Sequence, residues 1–229
     1  MPTTNTHALI FSLIISPIFC SACGMDATEE RQLGAEAAAE VERRVQVVRD
    51  AEGEQALATI GNALVQAGGA VAYPYTFRIV RDSTVNAFAL PGGFVYVQTG
   101  LLRNARDVSE LAGVLGHEVA HARLSHGAQQ AQKQKGLSAA ITVVCLFSGL
   151  CDSGLSQVAI NVGANVLTAK FSRTDELEAD SAGVVYTTNA ERLIGATAPR
   201  GVPAELTAAF AVLRARYGAG DASDRPAFD

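Results

Sequence analysis

No run of apolar residues in this chain is long enough to cross a bilayer. The two candidates, Ala8 to Phe19 and Leu137 to Leu150, hold about 12 and about 14 residues, against the roughly 20 that a spanning helix needs. Pro17 interrupts the first, and Gly149, Asp152 and Gly154 break up the second. The multiple spanning helices of a polytopic membrane enzyme are not seen in this sequence. There is no Lys/Arg-rich run either, and a formal charge of -5 with a pI near 5.4 gives no general attraction to phosphate. A nucleic-acid partner is not expected. Internal repeats are absent, and so are low-complexity tracts apart from Ala-rich helical stretches, which excludes a solenoid. Histidine is scarce: the chain has 4. His7 lies in the N-terminal apolar segment, leaving His117, His121 and His126.

What is present fits one globular domain. With 229 residues, 48% of them hydrophobic, the chain can bury one sizeable core. Segment 1–23 reads as an export signal of the lipoprotein type: an apolar run is followed by Cys20-Ser21-Ala22-Cys23, where small residues precede a cysteine. Its first residues carry no Lys or Arg, and Cys20 stands where an aliphatic residue is usual. The expectation is a lipid anchor at Cys23 and a periplasmic or cell-envelope location; the alternative is an ordinary cleaved signal. Residues 24–217 are expected to form the domain and 218–229 a flexible tail. Cys145 and Cys151 could close a short disulfide in an oxidising compartment or stay as two buried thiols, and sequence leaves both open.

Between Asp26 and Arg49, Leu33, Ala37, Val41 and Val45 recur every four residues with Val48 following, which predicts an amphipathic helix. A second helix is expected from Gln55 to Gln66, stopped by Gly68-Gly69. Tyr75 to Val80 and Phe94 to Val97 alternate as strands, with Asn86 to Gly93 between them; this predicts two strands joined by the Pro91-Gly92-Gly93 turn. Asp107, three residues before Glu110, or Ser109 can cap a helix running to about Ser125 or Gly127. Gln129 to Lys135 is a polar stretch. Leu137 to Leu150 is either a core helix or a hydrophobic surface facing substrate or membrane. Helices are also expected over Gln157 to Tyr186, in two parts around Phe171-Ser172-Arg173, and over Pro203 to Tyr217, where Leu206, Phe210 and Leu213 align.

The chemistry concentrates in His117-Glu118-Val119-Ala120-His121. At about 100° per residue the two histidines stand about 40° apart, one turn from each other, so both can reach one ion. A zinc ion with three protein ligands keeps a position for water and brings the pKa of that water towards about 7. Glu118 is placed to take the proton and pass it to the leaving amine. His-Glu-x-x-His occurs often enough by chance to need a second element. The acidic cluster Asp175, Glu176, Glu178, Asp180 offers one: Glu176 and Asp180 share a helix face, whereas Glu178 lies about 200° round from Glu176. Glu176 can then be the third ligand, while Asp180 accepts an N–H from a ligating imidazole and fixes its tautomer. The plainer reading makes all four a solvated helix start. On a continuous helix His126 lies about 180° from His117 and about 140° from His121. It reads as a helix-end or supporting residue, and the ion needs a carboxylate.

Three blocks in order, Asn86-Ala87-Phe88-Ala89-Leu90-Pro91-Gly92-Gly93, Gly116-His117-Glu118-Val119-Ala120-His121 and Ser172-Arg173-Thr174-Asp175-Glu176-Leu177-Glu178-Ala179-Asp180, resemble the HtpX-like and BepA-like zinc metallopeptidases related to the type 1 CAAX prenyl protease. The likeness covers Gln55 to Tyr186. It implies an α+β fold, mostly helical and zincin-like (gluzincin), with a small β-sheet beside a zinc cleft. It implies one zinc ion per chain on His117, His121 and Glu176, with Asp180 behind them and Glu118 as the catalytic base. Substrate is expected along Asn86, Ala87, Phe88, Pro91 and Gly92, by strand addition. The implied activity is that of a metalloendopeptidase acting on unfolded or misassembled envelope proteins. Relatives often carry a His-Pro segment and an Arg after the Glu-x-x-x-Asp element. No histidine follows His126 here, so the oxyanion-stabilising group stays open among Tyr186, Arg192 and Arg200. That gap, with the Leu137 to Leu150 stretch, keeps a rival: a zinc-containing lipoprotein chaperone or assembly factor with little proteolytic turnover.

Overall fold

The computed structural model describes residues 25–133, 171–195 (side chains to 190) and 204–218. Segment 1–23 with Cys23, the Leu137 to Leu150 stretch with Cys145 and Cys151, the first part of the Gln157 to Tyr186 helix, the Arg192 side chain, Arg200 and the tail beyond 218 lie outside the described residues.

Helix α1 (Ala27–Arg44) starts where its capping box dictates: Asp26 accepts from the Thr28 and Glu29 N–H groups, and Glu29 accepts from the Asp26 N–H at 3.1 Å. It stops short of the predicted Arg49. Val45 and Val48 continue the apolar spacing but leave the helix, because Val48 N–H bonds the Ile79 carbonyl at 2.8 Å and Val47 bridges to Val80. Helix α2 (Ala51–Ala67) follows and runs into Gly68-Gly69 as expected.

The sheet corrects the two-strand expectation. It has three strands, β1 (Thr76–Val80), β2 (Ala87–Leu90) and β3 (Phe94–Gln98), in the order β1-β3-β2. The Pro91–Gly93 turn joins β2 to β3 as an antiparallel hairpin, while β1 runs parallel to β3 on its other side. Gly92 and Gly93 have φ of 71° and 81°, the left-handed region that glycine enters without a steric penalty. Alternation along the strands divides the sheet. Phe77, Ile79, Ala87, Ala89, Val95 and Val97 face the main core with α2 and α4 (Val108–Arg123), whereas Val80, Phe88, Leu90 and Tyr96 pack under α1. The result is a helix–sheet–helix sandwich.

Short helix α3 (Thr99–Asn104) links β3 to α4, and α5 (His126–Lys133) follows α4, where the sequence reading had only a polar stretch. Helix α6 (Arg173–Gly195) lies against α4, and α7 (Ala204–Tyr217) closes the core with Leu206, Phe210 and Leu213. No described helix is long and apolar enough to cross a membrane.

Candidate metal centre

Helix α4 begins at Asp107, whose side chain accepts from the Glu110 N–H at 3.0 Å. The Glu110 carboxylate turns to Arg106 instead of closing a capping box. Helix α6 has the reciprocal box: Ser172 Oγ accepts from the Asp175 N–H at 3.1 Å, and Asp175 accepts from the Ser172 N–H at 2.9 Å. This cap sets Glu176 in the first turn of α6. Glycines set the approach of the two helices. Cβ atoms added at Gly116 and Gly183 would lie 3.0 Å from the Gly183 carbonyl oxygen and 2.9 Å from His117 N respectively.

The crossing brings His117, His121 and Glu176 together, with one donor atom from each within 4.8 Å of the others. His117 Nε2 and His121 Nε2 are 2.9 Å apart, and Glu176 Oε2 and Oε1 lie 3.5 and 3.8 Å from them. A tetrahedral ion with bonds of about 2.0–2.1 Å needs donor spacings of about 3.3 Å. The set fits zinc in a second respect. His117 Nδ1 is 2.8 Å from Asp180 Oδ1 and donates to it, so its Nε2 carries a bare lone pair. That lone pair faces the His121 Nε2, and such an encounter is favourable with a cation between them. Burial, and then the neighbouring His117 and His126, hold the His121 pKa down to about 3, so that ring is neutral and able to ligate.

Glu118 sits beside this face. Its desolvated position pushes its pKa up to about 8, opposed by a hydrogen bond from the Ala89 N–H and assisted by nearby Glu176. The donor's position follows from sheet pairing. Gln98 N–H bonds the Asn86 carbonyl at 3.1 Å, so by antiparallel alternation Asn86, Phe88 and Leu90 bond to β3, while Ala87 and Ala89 turn their peptide groups away from β3.

That geometry narrows the expected substrate-binding segment. Asn86 is exposed, whereas Ala87, on the outer side of β2, is buried. The Phe88 ring instead stacks on Tyr96 with centroids 5.1 Å apart, in the layer covered by α1. Pro91 and Gly92 are buried beneath α1, where Arg31 donates to the Gly92 carbonyl. Phe88 and Pro91 therefore pack structurally through their side chains and Gly92 through its backbone, because period-two alternation turns Phe88 from the cleft and α1 covers the turn. Tyr186 is also a core residue, with the Arg123 guanidinium 5.6 Å from its ring centroid.

His126 departs from its predicted angle. Helix α4 ends at Arg123 and Ser125 takes φ of 55°, so the helix is not continuous. The break swings His126 back until its Nδ1 is 3.0 Å from His121 Nδ1. Its Nε2 is 3.3 Å from Glu178 Oε2, a carboxylate that helical phase had set apart. Nothing at Leu124-Ser125 signalled a left-handed residue, since glycine or asparagine is the usual occupant.

The fold and this donor set are those expected of a metallopeptidase family. Residues 51–199 match peptidase family M48, and the chain belongs to that family. It is 33% identical to the beta-barrel assembly-enhancing protease of Yersinia pestis over 136 residues, covering 57% of this chain and 28% of that protein. It is 33% identical to metalloprotease LoiP of Escherichia coli over 125 residues, 54% of this chain and 48% of that one. Against mitochondrial metalloendopeptidase OMA1 of Schizosaccharomyces pombe the identity is 34% over 116 residues, 51% and 33% of the two chains. The matched region spans less than half the length of each of these relatives.

Proposed function

We propose that this chain is a zinc-dependent endopeptidase that hydrolyses internal peptide bonds in unfolded or misassembled envelope proteins. The observation that carries the reading is the convergence of His117, His121 and Glu176 beside Glu118, which accepts the Ala89 N–H of β2. Bound zinc supplies a Lewis acid that polarises the scissile carbonyl and acidifies a water. The chain's own residues do the rest. Asp180 accepts the His117 Nδ1–H and holds that ring in its ligating tautomer. Glu118 takes the proton from the water and delivers it to the departing amine. The Ala89 N–H is taken by Glu118, so an extended substrate backbone would pair with the remaining outward groups of β2, the Ala87 N–H and C=O and the Ala89 carbonyl, with Asn86 at the end of the strand. Main-chain recognition of this kind favours chains that are unfolded, because a folded segment has already used its backbone groups. An export signal over 1–23 and lipidation of Cys23 would set the enzyme at the envelope membrane, a location in keeping with a relative named for enhancing beta-barrel assembly.

Glu118→Gln is expected to keep zinc while cleavage of casein falls about 10²–10⁴-fold, the usual weight of general-base catalysis. Metal analysis and a gel assay read both quantities. Cleavage at the wild-type rate by the zinc-loaded variant would remove Glu118 from its role. Failure of the wild type to cleave in any zinc condition, with aggregation of unfolded protein still suppressed, would move the reading to a chaperone.

A further inference from the structure

We propose that His126 and Glu178 act as positioning residues for the metal ligand His121, forming a directed hydrogen-bond chain from the ion site to a carboxylate on α6. The inference rests on the zinc reading of His117, His121 and Glu176, and adds to it a role for two residues outside the motif.

Proton accounting fixes the direction of the chain. The His121 Nε2 faces His117 and Glu176 and must keep its lone pair to ligate, so its proton is on Nδ1. The His126 Nδ1, 3.0 Å away, must then accept, because two N–H groups cannot face each other at that distance. The proton of His126 is therefore on Nε2, directed at Glu178 Oε2 at 3.3 Å. Each ligating imidazole thus ends on an α6 carboxylate, His117 directly on Asp180 and His121 through His126 on Glu178.

The surroundings hold this arrangement. His126 is 3% exposed, so its ring has no water to replace a lost partner. The Phe171 ring stacks on His121 at 3.8 Å between centroids and lies 5.9 Å from His126. The left-handed residue Ser125 that turns His126 inward is itself tied, its Oγ donating to buried Glu30 at 2.7 Å. Glu178 is more than half exposed, so its share acts through the tautomer of His126 and is smaller than that of the buried ring.

Zinc affinity, measured by competition with a chromophoric chelator, tests this apart from proteolysis. His126→Leu fills the space with neither acceptor nor donor and is expected to weaken zinc binding about 10–100-fold. His126→Gln offers an amide oxygen to His121 and an N–H to Glu178, and is expected to recover at least part of the loss. Glu178→Ala should weaken binding by a smaller factor, and should add nothing once His126 is leucine, because it acts only through that ring. Cobalt-substituted wild type and His126→Gln should share a d–d spectrum that His126→Leu shifts. Should His126→Leu fail to fold, the Glu178→Ala and His126→Gln affinities still decide. Affinity within twofold of wild type in a folded His126→Leu, or full additivity in the double variant, overturns the chain while leaving the zinc reading intact. A wild type that takes up no zinc, or a Glu176→Gln variant that holds it as tightly, overturns the metal centre itself.

Discussion

Glu118 meets two opposed requirements. In its proposed role as base it must be a carboxylate, yet desolvation raises its pKa to about 8 in the protein without metal, and the Ala89 N–H only partly offsets that. A dication beside it favours the charged form, so base and metal depend on each other. The metal-free protein has a testable signature. A carboxyl whose folded pKa lies above its usual value of about 4.5 binds more protons folded than unfolded through the interval between them. Its stabilising contribution is full below about pH 4.5 and is lost as pH rises through about 8. In chelator, the thermal midpoint of the wild type should therefore fall between those limits more steeply than that of Glu118→Gln. Parallel pH profiles for the two proteins would show that Glu118 is not desolvated in this way. The identity of Glu118 was legible in the motif. Its contact with Ala89 was not, because a Pro-Gly-Gly signal says that the chain reverses without saying which strands it joins.

The crossing of α4 and α6 explains why two distant motifs make one site. Gly116 and Gly183 meet at backbone contact, and that closeness carries Glu176 and Asp180 to the histidines. Gly183→Val is expected to push α6 away, destabilise the fold by about 1–3 kcal/mol as overpacking does, and lower zinc affinity in the chelator assay. Gly113, three residues before Gly116 in the same helix, has open space around an added Cβ. Gly113→Ala should instead stabilise by about 0.5–1 kcal/mol through reduced chain entropy, with zinc affinity unchanged. Equal denaturation midpoints for the two variants would sink this account of the crossing. Helical phase had set Glu176 and Asp180 on one face, and both lie beside His117 because α6 is regular there. The same arithmetic misplaced His126, since it assumed a continuous helix where Ser125 breaks it. Phase arguments survive only as far as the backbone stays regular, and a left-handed serine leaves no mark in the sequence.

Long-range ties hold the sandwich around that crossing. Helix α1, outside the matched segment 51–199, clamps the back of the hairpin through Glu30 and Arg31. At the other end, Arg216 and Tyr217 of α7 bond Asp50 at the start of α2. None of these pairings has a local sequence signal, because each joins residues far apart in the chain. Zinc on the proposed site would add a link of the same kind, between α4 and α6, but one that can be withdrawn. A ligand bound only by the folded state stabilises it by about 4 kcal/mol when present at 1,000 times its Kd. Saturating zinc should therefore raise the thermal midpoint of the metal-free wild type by several degrees, and chelator should reverse the gain. Glu176→Gln removes a partly exposed ligand without emptying the core, so its metal-free midpoint should match that of the wild type while most of the zinc-dependent rise disappears. A zinc-dependent rise of the same size in both proteins would mean that the metal stabilises the fold from some other place. A lower midpoint for the metal-free variant alone would make Glu176 a structural residue first and a ligand second.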